Sequence, residues 1–143
     1  MSKLEDAFLG KTVLVNNDIP DYHEQNSQVA TALAEKNDLT VVYPTDKQLF
    51  IDCDSDQAYE LFKNQVQLLK KIDGPVTWSE TVSKSGLPHR HIIVNLCNPV
   101  DSMERIALQA AMGSDRRCEL LRIMRVKDRD PNPILFLEKK QCV

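Results

Sequence analysis

Short β-rich runs separated by single amphipathic helices, in the order β-α-β-β-α-β-β-α-α-β, limit the folds open to this chain more than any other feature. Lys11 to Asn16 (KTVLVN) reads as a first strand, closed by the turn-prone Asn17, Asp18 and Pro20. Asp21 and Glu24 form a capping box for a helix carrying Tyr22, Val29, Ala30, Leu33 and Ala34 on one stripe and ending at Asn37-Asp38. Leu39 to Tyr43 and Gln48 to Asp54, joined by Pro44-Thr45-Asp46-Lys47, predict a hairpin. A second helix spans about Ser55 to Ile72, with Ala58, Leu61, Phe62, Val66, Leu69 and Ile72 as its apolar stripe and Asp73-Gly74-Pro75 as its stop. Val76 to Lys84 and His91 to Cys97 flank Ser85-Gly86-Leu87-Pro88 and predict a second hairpin.

Pro99 opens a third helix, capped by Asp101 and Glu104, whose inward residues read as Met103, Ile106, Ala107 and Ala110 before a stop at Gly113. Ser114 begins a fourth, with Leu120, Leu121 and Met124 inward. After the break at 129–133, Ile134 to Glu138 (ILFLE) is the last strand. Hairpins crossed by helices, in place of strict strand-helix alternation, favour an α+β fold: a mostly antiparallel sheet with helices packed on it, of the ferredoxin or RRM kind. At 143 residues the expectation is one domain, 1–143, with 1–10 and 140–143 as flexible ends.

A net charge of -3 excludes a global basic field for nucleic acid or membrane. Positive charge gathers late, at Arg105, Arg116, Arg117, Arg122, Arg125, Lys127, Arg129, Lys139 and Lys140, which reads either as a basic patch or as solvated helix faces beside Glu104, Asp115, Glu119 and Asp128. Cys53, Cys97, Cys118 and Cys142 lack zinc spacing and read as reduced thiols. With neither a signal-peptide pattern nor an apolar run of roughly 18 residues, a cytoplasmic location is expected and no membrane partner.

Chemistry concentrates in two stretches. In Ile51-Asp52-Cys53-Asp54, strand alternation puts Asp52 and Asp54 on one face, an arrangement suited to a hard divalent ion such as Mg²⁺ or Mn²⁺, with Asp56 as a further oxygen donor. The competing reading makes Asp54 the N-cap of the second helix, with Gln57 three residues on. In Ser83-Lys84-Ser85-Gly86-Leu87-Pro88-His89-Arg90-His91, two hydroxyls, a Lys, an Arg and two His offer phosphate partners. His89 and His91 share a strand face and so also suit a transition metal; otherwise His91 is a packed strand residue and His89 a solvated one. His23 reads as a surface residue. Phe50, Trp78 and Phe136 read as core aromatics, without the pattern that stacks RNA on a sheet.

Together these stretches, an apolar strand ending in Asp-x-Asp, a helix, then a Ser/Gly turn leading to His91 at the head of an apolar strand, resemble motifs I and II of the archaeo-eukaryotic primase superfamily, the primase-polymerases. The chain also looks like short phage-encoded proteins, which implies the host cytoplasm. The resemblance, from about Leu39 to Glu138, implies metal-dependent nucleotidyl transfer, with Asp52, Asp54 and His91 catalytic. It further implies Mg²⁺ or Mn²⁺ on Asp52, Asp54 and Glu138; Lys84, Ser85, Arg90 and His91 on nucleotide phosphates; and a nucleoside triphosphate, with single-stranded DNA, as partner. Glu138 stands where that family usually has Asp, and the chain is shorter than most active members, so a degenerate relative is the companion reading. Two alternatives differ in class: a non-enzymatic phage factor that binds a host protein, nucleotide or nucleic acid, and a relative of HUH-type single-strand endonucleases built on His89 and His91. The second needs a Tyr nucleophile downstream, whereas Tyr22, Tyr43 and Tyr59 all precede the histidines.

Overall fold

The computed structural model describes residues 27–83 and 85–139. The expected first strand at 11–16, the capping box at Asp21 and Glu24, His23, Lys84, Lys140 and Cys142 lie outside them. The fold is α+β and its sheets are antiparallel. Two compact units are present, one formed by Tyr43–Glu119 and the other by the described parts of Met1–Val42 and Leu120–Val143.

In the unit that carries most of the strands, β2 (Gln48–Cys53), β4 (Arg90–Asn95) and β3 (Thr77–Val82) form a sheet in that spatial order. Helix α2 (Asp56–Asp73) covers one face by turning Phe62, Val66 and Leu69 onto Leu49, Ile51 and Cys53 of β2 and Ile92 and Val94 of β4. Trp78 closes this core edge-on against Phe62, with ring centroids 5.7 Å apart. The expected stripe was too wide, since Leu61 and Ile72 are exposed. Their register lies at the margins of a helix that meets the sheet along one narrow line.

Helix α2 is capped by Ser55, whose hydroxyl accepts the Ala58 N–H at 3.0 Å, and not by Asp54 as the competing reading had it. Ser55→Ala should therefore cost about 1 kcal/mol in chemical unfolding followed by Trp78 fluorescence, a cost Asp54→Ala should not carry. An equal loss from both would mean the cap is misplaced. The helix ends at Gly74, whose N–H bonds the Lys70 carbonyl at 3.1 Å.

Helix α3 (Ser102–Ala111) opens on the expected Asp101–Glu104 capping box, whose N–H bonds hold the Asp101 carboxyl below its usual range. Its inward face corrects the apolar reading. Arg105, Ile106 and Gln109 are buried, whereas Met103, Ala107 and Ala110 are exposed. The reason is the surface α3 meets, which is the polar backbone edge of β2. Arg105 donates from Nε to the Gln48 carbonyl at 2.8 Å and from Nη2 to that of Thr45 at 2.9 Å, and Gln109 Oε1 accepts the Phe50 N–H at 2.7 Å. Gln109 in turn donates to both oxygens of buried Glu119, at 3.0 and 2.8 Å. The next positions along the edge are taken by Ser114 Oγ, which accepts the Asp52 N–H at 3.0 Å, and by the Asp115 N–H, which donates to the Asp52 carbonyl at 2.6 Å. Side chains and a turn thus occupy the place of a neighbouring strand.

That occupied edge corrects the first predicted hairpin. Strand β1 (Leu39–Val42) does not pair with β2; it pairs with β5 (Phe136–Lys139), in a register that sets Thr40 opposite Glu138. In the same unit α1 (Ser27–Lys36) buries Ala30 and Ala34, and Ile134 and Phe136 are core. Helix α4 (Arg116–Lys127) begins in one unit and ends in the other. Of its expected inward residues Met124 is buried, but so are Glu119, Arg122 and Arg125, while Leu120 and Leu121 are only half-buried. Arg122 lies over the Phe136 ring at 5.5 Å and Arg125 donates to the Pro133 carbonyl at 3.1 Å. With Arg105 they are withdrawn from the basic patch that the sequence left open. No helix among the described residues is long and apolar enough to cross a membrane.

Candidate metal centre

Strand pleating puts Asp52 and, one step beyond the strand end, Asp54 on the face opposite α2. The register of β2 with β4 sets Asp52 opposite His91, and one step further Asp54 meets His89. His89 Nδ1 lies 3.1 Å from Asp54 Oδ1, and His91 Nε2 lies 3.9 Å from Asp52 Oδ1. Two imidazole–carboxylate pairs therefore stand side by side, the His91–Asp52 pair more enclosed than the His89–Asp54 pair. Thr81 faces His91 from β3 and continues the row.

A third carboxylate arrives from an element that carried no such expectation. Gly113, at φ +91°, ends α3 where an added Cβ would sit 2.8 Å from the Ala58 carbonyl oxygen, so only glycine fits this close approach to α2. The turn that follows is clamped to β2 through Ser114 and Asp115. Asp115 also accepts the Cys118 N–H at 3.1 Å, as an N-cap does, and its carboxylate stays against the strand end. One oxygen each of Asp52, Asp54 and Asp115 lies within 4.8 Å of the others. Burial, and next the negative charge of Asp54, push the Asp115 carboxyl above its usual range. Three crowded oxygen donors that resist sharing their charge suit a hard divalent cation, which would remove both penalties at once. This group could hold a metal ion.

The other expected site residues are placed elsewhere. Arg90, between the two histidines in sequence, points to the opposite face: its guanidinium stacks over the Tyr59 ring at 4.0 Å, and Nη1 lies 3.7 Å from Asp56. Period-2 alternation separates Arg90 from its neighbours, and Asp56 goes with it, away from Asp52 and Asp54. Ser85 sits in the exposed hairpin loop, its hydroxyl 3.3 Å from that of Ser83. Glu138 is on β5, in the other unit; the carboxylate grouped with Asp52 and Asp54 among the described residues is Asp115. Tyr59 belongs to the α2 face, where its hydroxyl donates to Glu80 at 2.9 Å; that bond raises its pKa. A phenol so placed does not face the histidines. Cys53, Cys97 and Cys118 form no disulfide among the described residues, and burial pushes the Cys53 thiol up.

The chain matches no protein-family model, and no curated protein or solved structure is significantly similar to it.

Proposed function

We propose that the unit carrying β2, β3 and β4 is a minimal primase-polymerase-like domain that handles nucleotides by metal-dependent phosphoryl transfer, with Asp52, Asp54 and Asp115 as its metal-holding carboxylates. One observation carries the reading: the Asp-x-Asp pair at the end of an apolar strand shares a face with His89 and His91 and is joined there by a third carboxylate. A divalent ion on this set would offset the charge of a triphosphate and of the oxygens gaining charge in an in-line displacement. The chain's own part is to fix three donors, two on a strand end and one on the turn bonded to it, and to present two imidazoles beside them as hydrogen-bond donors to phosphate oxygens. Nucleoside triphosphate is the substrate class this supports. Arg90 has no part in it, being held against Tyr59.

The test is a thermal-shift titration of the full chain with Mn²⁺ or Mg²⁺, with and without nucleoside triphosphate, repeated on Asp52→Asn. A ligand that binds only the folded state adds about 2.7 kcal/mol of apparent stability at one hundred times its Kd. The wild type should gain several degrees with metal and more with triphosphate, and Asp52→Asn should lose both gains while melting normally without metal. No shift under any of these conditions would remove the reading.

A further inference from the structure

The two edges of the β2-β4-β3 sheet are finished differently. On β2 the outward-facing residues are Gln48, Phe50 and Asp52: Arg105 meets the carbonyl of the first, Gln109 the N–H of the second, and Ser114 and Asp115 the N–H and carbonyl of the third. That phase fixes the other edge. Leu49, Ile51 and Cys53 bond to Val94, Ile92 and Arg90, so β4 turns His91, Ile93 and Asn95 toward Thr81, Ser79 and Thr77 of β3. The Ser83 N–H bond to the His89 carbonyl at 2.9 Å keeps the same phase beyond the strand end. Trp78, Glu80 and Val82 must then aim their N–H and C=O groups away from the sheet. Among the described residues no hydrogen bond reaches those groups. The run TWSETV is exposed at every position but half-buried Trp78, contains no proline and carries one charge, Glu80. Such an edge is a template for strand addition.

We propose that β3 is a self-association edge: two copies pair β3 against β3, antiparallel, about a twofold axis at Ser79, so that three strands from each copy form one continuous sheet. The register follows from pleating and charge. A twofold axis perpendicular to the sheet keeps each side chain on its own face, so it must pass through a residue position, and the axes nearest the middle of Thr77–Val82 lie at Ser79 and Glu80. An axis at Glu80 sets two carboxylates directly opposite, which is unfavourable. An axis at Ser79 sets Glu80 opposite the partner's Trp78, over whose ring the partner's Lys70 holds its ammonium, as Lys70 Nζ does 4.9 Å from the Trp78 centroid. Val82 then meets the partner's Val76, and Thr77 the partner's Thr81. The reciprocal Glu80–Lys70 pairs are what select a second copy as the occupant. This inference is independent of the metal reading, because the edge and the carboxylates lie on opposite strands of the sheet.

The experiment is sedimentation velocity on the full chain across a concentration series, with single, double and cysteine variants. The wild type should form a reversible dimer. Glu80→Lys and Lys70→Glu, each at an accessible side chain, should weaken it at least tenfold by setting like charges opposite, and the two together should restore it. Ser79→Cys, exposed to oxidised glutathione, should give a dimer whose disulfide maps to position 79 in both copies, and Thr81→Cys should not. Far-ultraviolet circular dichroism of each variant separates lost association from lost fold. A wild type that stays monomeric at all concentrations overturns the proposal. So does a dimer indifferent to Glu80→Lys, a charge swap that fails to restore association, or a cross-link absent at position 79.

Discussion

Gln109→Leu should destabilise the unit containing Trp78 by about 3 kcal/mol or more, the largest loss expected of any single side-chain replacement outside the apolar core. Gln109 is fully buried and serves three groups: it accepts the Phe50 N–H and donates to both oxygens of Glu119. Leucine matches its size but takes an acceptor from an interior amide and a donor from a buried carboxylate. Each loss is of the costly kind, because a buried polar group cannot replace the bond with water while the fold persists. The single Trp78 lies in the same unit as Gln109, so its fluorescence through a denaturant titration reports the right transition. Ala107→Leu, a change on the exposed side of the same helix, is the control and should shift the midpoint little. A loss below about 1 kcal/mol for Gln109→Leu would mean that the Phe50 edge has another partner.

The same residue shows where legibility in the sequence stopped. From Leu39 to Lys139 the types and order of the elements could be read, because each helix and strand has its own period; α2 was placed within a residue at either end. The Asp52–Asp54 face and the shared face of His89 and His91 were legible for the same reason, since alternation along a strand is local geometry. The second hairpin was legible too, since its two strands do pair; what could not be read was the pairing of the first. The hairpin signal at Pro44-Thr45-Asp46-Lys47 was real turn chemistry, and a turn does form there, with Gln48 N–H bonded to the Thr45 carbonyl at 3.2 Å. Yet β2's free edge was already claimed by residues about sixty positions later. Nothing in a linear pattern couples Asp52 to Ser114, 62 residues away.

Hydrophobic periodicity also misassigned the buried side of α3. It scores Met103, Ala107 and Ala110 as inward and Arg105 and Gln109 as outward. The observed face is the reverse at these positions, because the helix packs on hydrogen-bonding backbone and not on an apolar sheet face. A signal that could have corrected it was the glutamine in mid-helix ten residues before a glutamate, both between apolar neighbours. It is weak, since exposed residues of those types are far commoner. Asp115 had a better clue, standing two residues after the Gly113 stop. Read alone, however, an acid at a helix start is a cap, and here it is a cap and a candidate ligand together.

Asp115→Asn should separate those two roles. Asparagine keeps a side-chain oxygen for the Cys118 N–H, so the cap survives, while the negative charge at the crowded strand end is removed. In the fold the carboxyl of Asp115 is raised above its ordinary value, by burial first and by Asp54 next. The sign of the pH effect follows by linkage. A carboxyl that binds its proton more tightly when folded costs nothing below its unfolded pKa, where both states are protonated; it destabilises increasingly as pH rises from that value to the folded one, and fully above. Without metal, Asp115→Asn should therefore melt higher than wild type at neutral pH, and the difference should vanish as pH falls below the normal carboxylate range. With Mn²⁺ or Mg²⁺ the order should reverse. Loss of a ligand should weaken metal binding at least about tenfold, by analogy with the 10- to 100-fold cost of removing outer partners, and each tenfold removes about 1.4 kcal/mol of metal-linked stability. A charge retained at a cost to folding is expected of a group kept for a cation. If the variant melted lower than wild type without metal and responded equally to it, Asp115 would be a helix cap and nothing more.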